Sequence, residues 1–120
     1  MAIKIKSWKT LKGMTVVSTH IRMIALQSWL VTRLSEVVFT SAYRKKKIHS
    51  KDSGIASMIP CRHRDIRSWI YDDPQAICDD INAHWIYDPK RPQKKCAIYH
   101  DSGQGVHIHL QVHDNTIYVV

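Results

Sequence analysis

The chain has 120 residues, 44% apolar and 23% charged, with a formal net charge of +8. That composition belongs to one folded domain and excludes wholesale disorder. It carries no apolar run of the roughly 18–20 residues that span a bilayer, and its three cysteines, with no C-x-x-C pair, exclude a disulfide framework or thiolate zinc knuckle.

Residues 1–17 open with "IKIKSW", whose alternation reads as a short strand or as a basic N-terminal arm on a single domain covering 1–120. From about Ser18 to Val37, Met23, Leu26, Leu30, Leu34 and Val37 recur at three- and four-residue steps, which predicts a helix with one core face. "VVFTSAY", Val37 to Tyr43, is β-branched and aromatic and predicts a buried strand. Arg44 to Ser57 is basic, contains "DSG" and lacks periodicity, so it reads as a loop.

"IPCRHRDIRSW" follows, with Ile66 between polar Asp65 and Arg67, as in a strand with one wet face. "DDPQAICDDINAHWIYDP" predicts the clearest helix. Asp73 is a suitable N-cap, Pro74 suits the first helical position, and Ile77, Ile81 and Trp85 share a face. "DPKRP" closes it. "KCAIYHD" and "VHIHLQVHD" predict two strands joined by "SGQG", and "NTIYVV" a last one. Cys78 and Cys96, among apolar neighbours, read as small core residues. The order of elements predicts an α+β domain: a small antiparallel sheet flanked by two main helices.

The charge is unevenly placed. Glu36 is the only acidic residue in the first fifty, and most acids fall between Asp65 and Asp101. A basic half suits a polyanionic partner such as nucleic acid or an anionic cell-wall polymer, or is simply a solvated surface. Aromatics are sparse around "YRKKK", which weakens a nucleic-acid reading.

Chemistry concentrates in "GVHIHLQV". On a strand, His107, His109, Gln111 and His113 share one face, and Val106, Ile108, Leu110 and Val112 the other. Two imidazoles roughly 6–7 Å apart along a strand can both approach one small volume, so the pair is either a polar face or half of a metal site. A zinc site needs a third protein ligand, and a catalytic one keeps a fourth position open. Asp65, His49, His63 and His100 are the candidates. His20 and His84, on predicted helices, read as surface or packing residues.

Three short motifs, in order, resemble one family. "SAYR", Ser41 to Arg44, resembles the S-[GA]-Y-R strand of the D-alanyl-D-alanine carboxypeptidase and endolysin-type zinc peptidases. "RHRDIRS" resembles the strand that bears their aspartate ligand, and "GVHIHLQV" the H-x-H strand of the wider lysostaphin, D-Ala-D-Ala peptidase and hedgehog group. The resemblance implies a hedgehog/D-Ala-D-Ala peptidase-like fold, with Asp65 and His109 as zinc ligands. It also implies His107 as the group that assists catalysis, and Arg44 as the residue that steadies substrate or oxyanion.

Peptidoglycan stem or cross-bridge peptides would be the substrate. The protein would be cytoplasmic at synthesis and would reach the wall after lysis or export. The glutamate that other members carry three residues before the final histidine is Val106 here.

The family's first motif places a histidine seven residues before Asp65, where this chain has Met58; a looser version would place it at Ala56. The first ligand is therefore His49, from the basic loop, or it is missing. His63 shares the Asp65 face but lies so close along the chain that it is a poor source of a separate ligand direction.

Two rivals follow from the same residues. One is a metal-dependent single-stranded DNA nuclease of the rolling-circle or relaxase kind, which also uses H-hydrophobic-H and which the charge favours. The other is a non-catalytic, peptidase-like binding domain, which Ala56 favours. A structural protein with idle histidines is the plainest outcome.

Overall fold

The computed structural model describes residues 2–45, 54–101 and 105–120. It is a compact α+β fold with three helices and a mostly antiparallel sheet. In chain order the elements are β1 (Ala2–Ile5), α1 (Trp8–Thr15), α2 (Ile21–Arg33), β2 (Glu36–Ser41), a 3₁₀ turn (Ile55–Ser57), β3 (His63–Arg67) and α3 (Pro74–His84). They continue with β4 (Trp85–Ile86), β5 (Ala97–Asp101), β6 (Val106–Gln111) and β7 (Ile117–Tyr118). The main sheet runs β1-β2-β3-β6-β5; β4 and β7 form a separate ribbon. Among the described residues no helix is long and apolar enough to cross a membrane.

The N-terminal segment is built into the fold. β1 pairs parallel with β2, which is the one departure from antiparallel pairing in the main sheet among the described strands. The third helix, α1, follows it and starts where Ser7 Oγ accepts the Thr10 amide at 3.2 Å. It is only eight residues long and the residues it buries are Thr10 and Gly13, so it offers periodicity no buried apolar face to find.

α2 is shorter than its apolar pattern predicts. It begins after His20, whose Nδ1 accepts the Arg22 amide at 3.1 Å, and ends before the turn into β2. α3 begins as expected at Asp73, whose carboxylate accepts from the Ala76 amide at 3.1 Å, with Pro74 at its first position. It ends at His84, earlier than predicted. Trp85 and Ile86 leave the helix to pair with Tyr118 and Ile117, so the last predicted strand completes a ribbon rather than the main sheet.

One face of the main sheet is the core. Val37, Phe39, Ile66, Ile108, Leu110 and Val112 pack there against Met23, Leu26 and Leu30 of α2 and Cys78 and Ile81 of α3, all nearly solvent-free. Cys96 lies in the same core, so Cys78 and Cys96 are the small apolar residues expected, and all three cysteines are free and buried. Strand alternation therefore sends His63, Asp65, His107 and His109 to the opposite face.

A β-bulge helps to shape that face. Phe39 pairs with Ile66, but Ser41, two residues on, pairs with Asp65, the neighbour of Ile66. The extra residue re-aims the end of β2 so that the Ser41–Arg44 segment leaves beside Asp65. α1 closes against this segment through Gly13, whose carbonyl accepts the Tyr43 amide at 3.1 Å.

Candidate metal centre

β3 and β6 are antiparallel neighbours, and their register sets Asp65 directly opposite His109 and Arg67 opposite His107. Cross-strand partners share a face, so the aspartate and the H-x-H pair meet as the sequence anticipates. Asp65 Oδ1 lies 3.2 Å from His109 Nδ1, 3.5 Å from His107 Nε2 and 2.9 Å from His63 Nε2. Three imidazole nitrogens thus surround one carboxylate oxygen.

What these nitrogens carry follows from their other contacts. His63 Nδ1 faces the Ala42 carbonyl at 2.9 Å, and His107 Nδ1 faces the Gly105 carbonyl at 3.0 Å. A carbonyl only accepts, so each of these ring nitrogens is the protonated one. His109 Nε2 faces Gln111 Oε1 at 3.0 Å; the Gln111 amide nitrogen donates to the Lys95 carbonyl at 2.8 Å, which fixes the amide with its oxygen toward the ring. A neutral imidazole has one proton. His63 Nε2, His107 Nε2 and His109 Nδ1 are then lone pairs, all aimed at Asp65.

Asp65 is itself an acceptor. Burial alone would raise its pKa, but the adjoining His109 and His63 rings outweigh that and hold the carboxyl well below the usual carboxylate range. With neutral rings in these tautomers, lone pairs instead face the carboxylate, in a cluster where Asp65 is 7% and His63 1% exposed. A cation between them, a proton on a ring or a metal ion, satisfies both sides. Burial pushes the His63 pKa down, against the Asp65 contact that raises it.

The residues fit a metal. One ligand atom each from His63, Asp65 and His109 lie within 4.8 Å of one another. A tetrahedral site with zinc–ligand bonds of about 2.0–2.1 Å has edges of about 3.3–3.4 Å, close to the 2.9 and 3.2 Å separations from Asp65 to the two rings. Each ring also donates its other N–H to an oxygen, the outer-shell arrangement that fixes the tautomer of metal-ligating histidines. Imidazole with carboxylate suits zinc and its transition-metal neighbours.

The predicted residues separate into those brought together and those that are not. Asp65, His107 and His109 converge. His63, the candidate expected to be a poor substitute, joins them at 2.9 Å from Asp65. Two residues apart on one strand, His63 and Asp65 point the same way, and the His63 ring, with Nδ1 on the Ala42 carbonyl, sets Nε2 2.9 Å from the carboxylate. The H-x-D spacing of Arg62–Arg67, the twin of H-x-H, was the signal. His49 lies outside the described residues.

Ala56 is buried in the 3₁₀ turn, and its carbonyl accepts the Arg44 amide at 2.7 Å; Met58 is largely exposed. His100 sits opposite His107 on β5. His113 shares the expected parity but lies past the end of β6, 3.9 Å from Asp88. His20 caps α2 and meets Asp114 at 3.0 Å, a packing role as expected. His84 stacks beside Trp29 and Tyr118, also packing.

A cavity of about 500 Å³ opens beside the cluster, with Asp65 and His107 in its wall. Lys6, Lys9, Arg44 and Arg67 also line it, and among the described residues Asp65 is its sole carboxylate. Lys6 and Lys9 are not legible in the sequence here because only the folding of the N-terminal segment over the sheet brings them in, whereas Arg67, two residues after Asp65 on β3, shares its face by strand period alone.

No protein-family model, no curated protein and no solved structure matches this chain.

Proposed function

We propose that the chain is a zinc-dependent, peptidase-like hydrolase that acts on peptides of the peptidoglycan type, with a hedgehog/D-Ala-D-Ala peptidase-like site. The observation that carries this reading is the convergence of three imidazole nitrogens on the Asp65 carboxylate. His63, Asp65 and His109 would hold the ion, with His63 standing in for the family histidine that this chain lacks at 56 and 58. Zinc, when bound, supplies a Lewis acid that makes hydrolysis workable at neutral pH.

The rest is done by the chain. His107 is held by Gly105 with its Nε2 lone pair toward the cluster, where it accepts a proton from the attacking water and later donates one to the leaving amine. The cationic wall, Arg44 included, faces the charge that develops on the carbonyl oxygen. The same wall suits the carboxylates of a stem peptide. Burial of His63 and Asp65 keeps water from competing for their ligand atoms.

The test is zinc content and turnover together. Purified protein should carry one tightly held zinc per chain and cleave muropeptides, and a chelator should abolish cleavage. Protein that takes up no zinc, or that cleaves equally well without it, overturns the reading.

The cationic cavity supports a second reading, cleavage of single-stranded DNA with Mg²⁺ or Mn²⁺. Tyr43 lines the cavity and would be the nucleophile to examine. Nicking of single-stranded DNA that disappears in Tyr43→Phe would favour it over the peptidase.

A further inference from the structure

His100 stands apart from the reading above. It lies on β5 directly opposite His107, and its ring centroid is 4.9 Å from that of His107 and 5.6 Å from that of His109. One ring nitrogen each from His100, His107 and His109 lie within 4.8 Å of one another. His100 Nε2 is buried and has no hydrogen-bond partner. A buried polar atom left unpaired in a native fold calls for an explanation such as an ion.

We propose that His100, His107 and His109 form a second seat for a divalent transition-metal ion, overlapping the first through His109, and that filling it silences His107. The donors are imidazoles with no carboxylate, three in the empty cluster and two, His100 and His107, once the first seat holds His109. That set selects zinc, copper or nickel over magnesium or calcium. All three residues are partly exposed, so the seat is open to ions from solution. It rests on the zinc reading in one respect: the His63–Asp65–His109 seat is the one filled first.

The overlap fixes the order of affinity. An ion held by His63, Asp65 and His109 uses the Nδ1 lone pair of His109. A second ion then keeps His100 and His107, a weaker pair of ligands. Once there, it occupies the Nε2 lone pair with which His107 accepts a proton. Excess metal therefore inhibits, and the metal that activates at one ion per chain suppresses at two.

Equilibrium dialysis of the intact chain against zinc tests this without needing turnover. Wild type should take one ion tightly and a second more weakly. His100→Gln should keep the first and weaken the second by at least about tenfold, the lower end of what loss of even an outer partner costs a metal site. Zinc inhibition of peptide cleavage should shift to higher concentration by the same factor. Independently of any variant, Cu²⁺ added to zinc-loaded wild type should broaden the His100 and His107 ring resonances first.

If His100→Gln titrates as wild type in both classes, or if Cu²⁺ leaves the His100 ring untouched, the second seat is overturned and the first stands. If wild type binds no zinc at all, the first reading falls as well.

Discussion

His63 Nε2 and Asp65 Oδ1 lie 2.9 Å apart on one strand, while the other nitrogen of His63 is committed to the Ala42 carbonyl. A neutral ring cannot donate to both. Replacing His63 should therefore remove a metal ligand rather than a simple hydrogen bond. His63→Gln is expected to lower zinc affinity by more than the 10–100-fold typical of an outer partner, as read by competition with a chromophoric chelator. Ala56→His should add no ion to the stoichiometry; a tight site that appears only in that variant would mark the native chain as degenerate.

Gln111 controls His109 from outside. Its amide, anchored on Lys95, holds the His109 proton on Nε2 and leaves Nδ1 free. Gln111→Leu should release the tautomer and cost about 10–100-fold in zinc affinity. Long-range ¹H–¹⁵N correlations of the rings check the premise. Metal-free wild type should show protonated Nδ1 on His63 and His107 and protonated Nε2 on His109.

His107 is read as a proton carrier and not as a ligand of the first seat. His107→Gln should keep one tightly bound zinc and lose about 10²–10⁴-fold in kcat, the usual contribution of a positioned acid–base group. Loss of that tight zinc would instead make His107 a ligand.

The cluster also ties stability to pH. Burial lowers the His63 pKa from its ordinary 6.5, so the unfolded chain binds that proton more readily than the folded one. This contribution is fully present above pH 6.5 and is lost as pH falls toward the lower folded value. Asp65, depressed from 3.8, adds a second loss below about pH 4. Metal-free protein should thus melt at progressively lower temperature from pH 7 down to 5 and again below 4. His63→Gln should flatten the first decline.

Gly13 lets α1 lie against the Tyr43 backbone: a Cβ there would stand 2.9 Å from the Tyr43 carbonyl oxygen. In an open helix, alanine for glycine gains about 1 kcal/mol. Here Gly13→Ala should lower the melting temperature instead and displace the Ser41–Arg44 segment, with weaker substrate binding as the result.

How far the sequence carried depended on the range of the signal. Strand period two placed His107, His109 and Asp65 on wet faces, and the register of β3 on β6 then joined them as anticipated. Asp73 and Pro74 fixed the start of α3, because capping is local. α1 was hidden because it is only eight residues long and buries Thr10 and Gly13 rather than apolar side chains. The early end of α3 depends on a partner strand more than thirty residues away, at Ile117 and Tyr118. Chain proximity argues against His63 as a separate ligand direction, yet its ring, held by the Ala42 carbonyl, reaches the carboxylate of its near neighbour Asp65. The orphaned nitrogen of His100 belongs to packing, which composition does not contain.

The most direct measurement is an anomalous-difference map at the zinc edge from crystals of zinc-loaded protein. The account predicts one strong peak bonded to His63 Nε2, Asp65 and His109 Nδ1, with His107 Nε2 close by and unbonded. A map with no peak at Asp65, or a peak there with the His63 ring turned away, would contradict it.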